Sequence, residues 1–177
     1  MRIIAGAHRG ARITAPRGTG TRPTGDRARE AAYNLIGPVD DGAVLDLFAG
    51  SGAMGLEALS RGARRCVFVE SDRAACVAIR SNLERLRLTV ALVLQKDVFH
   101  VLREERAAGR TYDLVVADPP YEEWAMLESR LGEAIPPVLA EDGLVVIETS
   151  ARTEPALPLT LVTSRRYGSA RITIFTR

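Results

Sequence analysis

The chain has 177 residues, 46% of them hydrophobic and 26% charged, which is room for one domain with a sizeable core and excludes a disordered or fibrous chain. No apolar run approaches the ~18–20 residues that span a bilayer, and Met1-Arg2-Ile3-Ile4-Ala5-Gly6 has neither the apolar stretch nor the cleavage site of a signal peptide. The net charge of +2 hides an asymmetry: residues 1–36 carry seven arginines against Asp26 and Glu30, and the remainder is net acidic. That distribution points to an anionic partner met by the N-terminal segment.

Cys66 and Cys76 form no C-x-x-C pair, and the only histidines are His8 and His100. A zinc site is not expected, and the cysteines read as reduced core residues of a cytoplasmic protein. Lys96 is the only lysine, so nearly all positive charge is guanidinium, which suits contact with phosphate.

In chain order, residues 2–4 and 11–14 are short β-like runs around His8-Arg9-Gly10 that predict a small hairpin. An irregular stretch with Pro16, Gly18, Gly20, Pro23 and Gly25 follows. Asp26 predicts an N-cap for a helix over 27–36, ended by Gly37-Pro38, with Ala28, Ala31, Ala32 and Leu35 as its apolar face and Arg27 and Arg29 elsewhere. From residue 43 strands and helices alternate, the pattern of an α/β protein with a parallel sheet. Strands are predicted at 43–47, 65–69, 90–94, 113–117 and 144–148, with helices at 53–61, 72–87, 97–107 and 122–133 between them. Two last strands, 159–165 and 170–176, flank Tyr167-Gly168-Ser169 at hairpin spacing.

Asp46-Leu47-Phe48-Ala49-Gly50-Ser51-Gly52-Ala53-Met54-Gly55 is a glycine-rich turn between the first strand and its helix. Gly50, Gly52 and Gly55 satisfy G-x-G-x-x-G, and Glu70 ends the next strand where a ribose-binding acid belongs. A nicotinamide dehydrogenase therefore has to be considered. Asp46, however, would repel a pyrophosphate and suits a ligand with an α-amino group. Asp97, after the third strand, can accept from an adenine amine, cap a helix, or do both. S-adenosylmethionine fits this set: ribose to Glu70, adenine to Asp97 and the Val98 backbone, amino-acid end to Asp46 and the Gly50-Ser51-Gly52 loop. Phe48 and Ser71, in the same two turns, complete the expected cofactor residues.

Asp118-Pro119-Pro120-Tyr121 follows the apolar run Leu114-Val115-Val116-Ala117. The prolines end the ladder and stiffen the turn, which presents the Asp118 carboxylate and the Pro119 carbonyl as two fixed acceptors. Two acceptors beside an aromatic ring suit the planar amine of a nucleobase stacked on Tyr121. Holding both hydrogens aims the nitrogen lone pair at an electrophile, which is catalysis by positioning. Trp124 is expected in the core, with the base pocket as its alternative.

With these residues assembled, the chain resembles class I methyltransferases, and within them the RsmD family of bacterial 16S rRNA guanine-N2 methyltransferases. Met1-Arg2-Ile3-Ile4-Ala5-Gly6, Arg9-Gly10, Thr21-Arg22-Pro23-Thr24, Asp26-Arg27 and Arg29-Glu30 match the family's N-terminal pattern. Asp46–Gly55 with Leu56-Glu57-Ala58-Leu59-Ser60-Arg61-Gly62-Ala63 match its cofactor motif, and Asp118–Tyr121 its catalytic motif. Ala11, where a basic residue is common, and the small Ala28 and Ala32 depart from the pattern.

The resemblance implies a Rossmann-like, seven-stranded, mainly parallel sheet with the last strand antiparallel. Residues 1–38 would be an RNA-contacting hairpin and helix, and residues 39–177 the S-adenosylmethionine-dependent domain. It implies methylation of the N2 amine of one guanine in 16S rRNA, within the assembled or assembling 30S subunit, by a monomer that needs neither metal nor membrane. RNA contact falls to Arg2, Arg9, Arg12 and Arg22, then Arg27 and Arg29. Arg165 and Arg166 join them if the sixth strand is parallel, which would bring their turn to the active-site edge. Because D-P-P-Y serves the amines of adenine, cytosine and guanine alike, base identity rests on the resemblance. A DNA adenine or cytosine N-methyltransferase stays open, although no target-recognition domain remains in the chain; so does a non-catalytic scaffold that binds cofactor or RNA.

Overall fold

Strand–helix alternation organises the chain from residue 43 onward in the computed structural model, which describes residues 1–15 and 25–177. Helix α1 (Asp26–Ile36) precedes β1 (Ala43–Leu47), α2 (Ala53–Ser60), β2 (Arg65–Glu70), α3 (Arg73–Leu86) and β3 (Ala91–Gln95). Then come α4 (Val98–Ala107), β4 (Tyr112–Ala117), α5 (Trp124–Ala134), β5 (Leu139–Ser150), β6 (Thr160–Tyr167) and β7 (Ala170–Thr176). The fifth strand is far longer than its apolar run, because Leu139 already pairs with Tyr112 beyond an irregularity in the ladder.

The seven strands form one sheet in the order β3-β2-β1-β4-β5-β7-β6. The pairs among β1 to β5 are parallel. Strand β7 inserts antiparallel between β5 and β6, so β6 runs with the parallel strands. The condition set for Arg165 and Arg166 is thereby met, and the β6–β7 turn lies at the sheet's carboxyl edge. Chain direction across the sheet reverses at β1 and β4, and in open α/β sheets ligands occupy the crevice at such a switch point.

Side chains alternate between two cores, one on each face. Leu56, Ile79, Leu83, Val116 and Ile174 belong to one, and Leu45, Leu47, Val101, Leu102, Leu131 and Ile147 to the other. All five residues of β1 are buried, as expected of a strand covered on both sides. Asp72 and Asp97 cap α3 and α4 by accepting from the amides of Ala75 at 2.7 Å and His100 at 3.0 Å. Cys66 and Cys76 are buried free thiols.

The N-terminal segment departs from its expected form. The hairpin shrinks to one antiparallel bridge between Arg2 and Arg12, with the Ile3 amide donating to the Ala11 carbonyl at 2.9 Å. Its ladder ends because the next amides are taken by α2: Ile4 and Ala5 donate to the Glu57 carboxylate at 2.7 and 3.0 Å. Gly6, at φ +81, lies so close to the Ser60 carbonyl that a Cβ would stand 1.7 Å from its oxygen. Ile3 and Ile13 are buried, each anchoring the segment by roughly 1.5–3 kcal/mol.

Asp26 does not cap α1. Gly25 takes that position without a side-chain bond, and Asp26 lies in the first turn, paired with Arg29 at 3.0 Å. The buried face of α1 is Ala28, Arg29, Ala32, Tyr33 and Ile36, with Ala31 and Leu35 only half-buried. The helix is turned by what its larger side chains find. Tyr33 donates to the Met54 carbonyl at 2.6 Å, and Arg29 reaches Glu57 at 3.7 Å.

Candidate active site

The strand ends at the switch point open into a cleft of about 870 Å³, within the range of ligand and cofactor sites. On one side stand the turns after β1, β2 and β3. Asp46, Phe48, Gly50, Ser51, Glu70, Ser71, Asp97 and Val98 all line the cleft. Gly52 shapes the loop from behind at φ +75, its Cα facing Ile79 and Phe68 so closely that a Cβ would meet Ile79 Cγ1 at 3.0 Å. Phe48 also has positive φ, at 56°, a strained state for a non-glycine residue of the kind that gathers at ligand sites.

The carboxylates on this side are already fastened to the backbone. Asp46 accepts from the Gly55 amide at 2.8 Å. Glu70 accepts from Gly50 and from Asp72, both at 2.8 Å, and so holds the two turns together. Asp97 caps α4 and also lines the cleft.

These bonds discriminate between ligands. A dinucleotide loop offers free amides to a pyrophosphate. Here the Gly50 amide is taken by Glu70 and the Gly52 amide by the Ala49 carbonyl at 2.7 Å. Lys96 lines the cleft too, but its ammonium is paired with Glu104 at 2.8 Å. A site with three carboxylates suits a ligand bearing a diol, an amine and positive charge, not a diphosphate.

Burial raises the Asp46 carboxyl to about 7, opposed by the Gly55 amide bond and reinforced by the negative charge of Glu70. Burial likewise pushes Tyr33 and Cys66, packed beneath the loop, well above their ordinary values. An ammonium brought to the cleft would favour the ionised form of Asp46.

On the other side stands the turn after β4. Asp118, Pro119, Pro120 and Tyr121 all line the same cleft. The Tyr121 hydroxyl donates to Glu148 at 2.9 Å. Glu148 ends the apolar run of β5, is only 8% exposed and also faces the cleft. Its neighbour Ile147 pairs with Ala117, so Glu148 and Asp118 sit one residue beyond paired positions on adjacent strands. Sequence reading missed Glu148, although an acid closing an apolar strand is the signal that marked Asp46 and Glu70. It also missed Phe99, Arg130 and Met1 as lining residues. Arg130 stacks on Phe99, 3.6 Å from the ring centroid, a contact between α4 and α5 that no local motif announces. Trp124 is 3% exposed in the core.

The arginines expected at RNA divide. Arg2, Arg9 and Arg27 are exposed and line a second concavity of about 420 Å³ with Asp26 and Glu30. Arg12, Arg165 and Arg166 are exposed, the last two beside the turn at the carboxyl edge. Arg29 must be corrected: it is fully buried, bonded to Asp26 and the Arg2 carbonyl and near Glu57. It fastens α1 to α2 and presents nothing to RNA. Arg22 lies outside the described residues.

A profile of the family described as conserved hypothetical protein 95 matches residues 1–176. The chain is 40% identical to YlbH of Bacillus subtilis, named as a candidate rRNA methyltransferase, over 99% of this chain and 98% of that protein. It is 36% identical to ribosomal RNA small subunit methyltransferase D of Escherichia coli K12, over 89% of this chain and 78% of that one. The solved structure of yhhF from Escherichia coli, described as a candidate methyltransferase, superposes with a TM-score of 0.83 at 32% identity, covering 100% of this chain and 97% of that chain.

Proposed function

Because this chain belongs to the conserved hypothetical protein 95 family, the RsmD family of methyltransferases, we propose that it methylates the N2 amine of one guanine in small-subunit ribosomal RNA. The observation that carries this reading is the meeting of two half-sites in one cleft: Asp46, Glu70 and Asp97 on one side, Asp118, Pro119 and Tyr121 on the other. The methyl donor is S-adenosylmethionine, which supplies an electrophilic methyl on a sulfonium.

Glu70 takes the ribose hydroxyls, Asp97 and the Val98 backbone the adenine edge, and Asp46 with the Gly50-Ser51-Gly52 loop the amino-acid end. Phe48 and Ser71 close the two turns around it. Asp118 and the Pro119 carbonyl hold the guanine amine, and Tyr121 stacks on the base, which leaves its own stack to reach the pocket. The amine lone pair forms the new N–C bond as the methyl–sulfur bond breaks. The surplus proton then leaves to Asp118 or water, because the methylated nitrogen is strongly acidic. Residues 1–38 serve as an RNA-contacting extension of the 39–177 domain, with Arg2, Arg9, Arg12, Arg27, Arg165 and Arg166 on phosphates. The substrate is the small subunit, assembled or assembling, whose shape supplies recognition that a small enzyme lacks.

The test is transfer from labelled S-adenosylmethionine into small subunits lacking the mark, beside free 16S RNA and duplex DNA. Label recovered as N2-methylguanosine from subunits is the expected result; label only in DNA, or as methyladenine, refutes the assignment.

A further inference from the structure

Glu148 has no part in the reaction so far, yet it is a nearly buried carboxylate at the acceptor end of the cleft. A buried acid is costly to keep without partners, and among the described residues the Tyr121 hydroxyl donates to it at 2.9 Å. A carboxylate has about four lone-pair sites, so one that lines the cleft can hold protein donors and still accept from a ligand. Tyr121 is the ring on which the base would stack, which places Glu148 at the rim of that base, beside the turn that would hold the amine.

The bases differ at that rim. In adenine and cytosine the ring nitrogen beside the exocyclic amine carries a lone pair. In guanine the ring nitrogen on one side of the N2 amine, N1, carries a hydrogen. A carboxylate next to the amine-holding acceptors attracts that N–H and repels a lone pair in the same place. We propose that Glu148 is the specificity-determining residue of the site: its carboxylate accepts from guanine N1–H and rejects bases with an acceptor there. The inference rests on the guanine-N2 reading above and supplies it with a physical reason independent of family membership.

The probe is 2-aminopurine, which keeps the N2 amine but has a bare lone pair at N1. Small subunits reconstituted with guanine or 2-aminopurine at the target position would be assayed with the wild type, Glu148→Gln and Tyr121→Phe. The wild type is expected to prefer guanine by at least about 10- to 100-fold in kcat/KM, the scale of one hydrogen bond to a charged group. Glu148→Gln should lose about that factor on guanine and little or nothing on 2-aminopurine, because its amide can donate to the bare nitrogen. Retained affinity for S-adenosylmethionine would show that the variant is folded. Tyr121→Phe, which keeps the ring and removes the hydroxyl that donates to Glu148, should keep the preference for guanine.

Discrimination by Glu148→Gln equal to that of the wild type overturns the proposal. So does a Tyr121→Phe variant with the same collapse of preference, since Glu148 would then act only by orienting the ring. No label in guanine-bearing subunits with the wild type would instead overturn the guanine-N2 assignment itself, and this inference with it.

Discussion

The two halves of the cleft use carboxylates differently. After β1, β2 and β3 the acids hold the backbone: Asp46 binds the Gly55 amide, Glu70 the Gly50 and Asp72 amides, Asp97 the His100 amide. After β4 the geometry is set by two prolines and a side-chain pair, Tyr121 with Glu148. In the first half the groups that would bind the cofactor also build the loops that carry them, so binding and folding are one problem. In the second half two prolines stiffen the turn, and both Asp118 and Glu148 line the cleft.

The comparison is broken or sharpened most strongly at Asp118. Asp118→Ala should lower kcat by about 10²- to 10³-fold, the scale seen on removal of a positioned electrostatic group. Stability should fall by no more than about 1 kcal/mol in urea unfolding. A large loss of stability would erase the distinction between the halves.

Asp46 should behave in the opposite way. Folded, it keeps its proton to about pH 7; unfolded, its ordinary value is 3.8. The folded state binds the extra proton between those values, so the stability Asp46 contributes is present below pH 4 and is lost as pH rises toward 7. The slope approaches about 1.4 kcal/mol per pH unit within the window, which is on the order of 4 kcal/mol across it. Asp46→Asn should therefore flatten that part of the stability profile and be more stable than the wild type at pH 8, while binding S-adenosylmethionine more weakly. Denaturant melts from pH 5 to 8 with calorimetric titrations would decide it; parallel profiles for the two proteins would refute the role.

The smallest effect is expected at Gly55. A Cβ there would meet Phe68 Cε1 at 2.3 Å and Cys66 Sγ at 2.6 Å, so Gly55→Ala should cost about 1–3 kcal/mol by overpacking and weaken cofactor binding together with stability. Unchanged melting would show that α2 can shift without disturbing the cofactor half.

Much of this was legible in the chain because it is local. The apolar runs ending in Asp46, Glu70 and Asp118, the glycines after β1 and the stiff Pro119-Pro120 turn each declare themselves within a few residues. The alternation of strand and helix then requires these ends to share one edge of a sheet. What stayed hidden was set by partners far along the chain. Arg29 reads as a solvated arginine until Glu57 is seen beneath it, fully buried and already holding Ile4, Ala5 and Arg61.

By itself, then, the sequence determined the parallel sheet, the glycine loop and the two acidic strand ends that face each other across the switch point, since strand period and turn chemistry are local. Only the tertiary structure decided which charges serve ligands and which serve folding. Desolvation and pairing depend on what packs against a side chain: they turned Arg29 inward, raised Asp46, and brought Glu148 beneath Tyr121, 27 positions away in the chain.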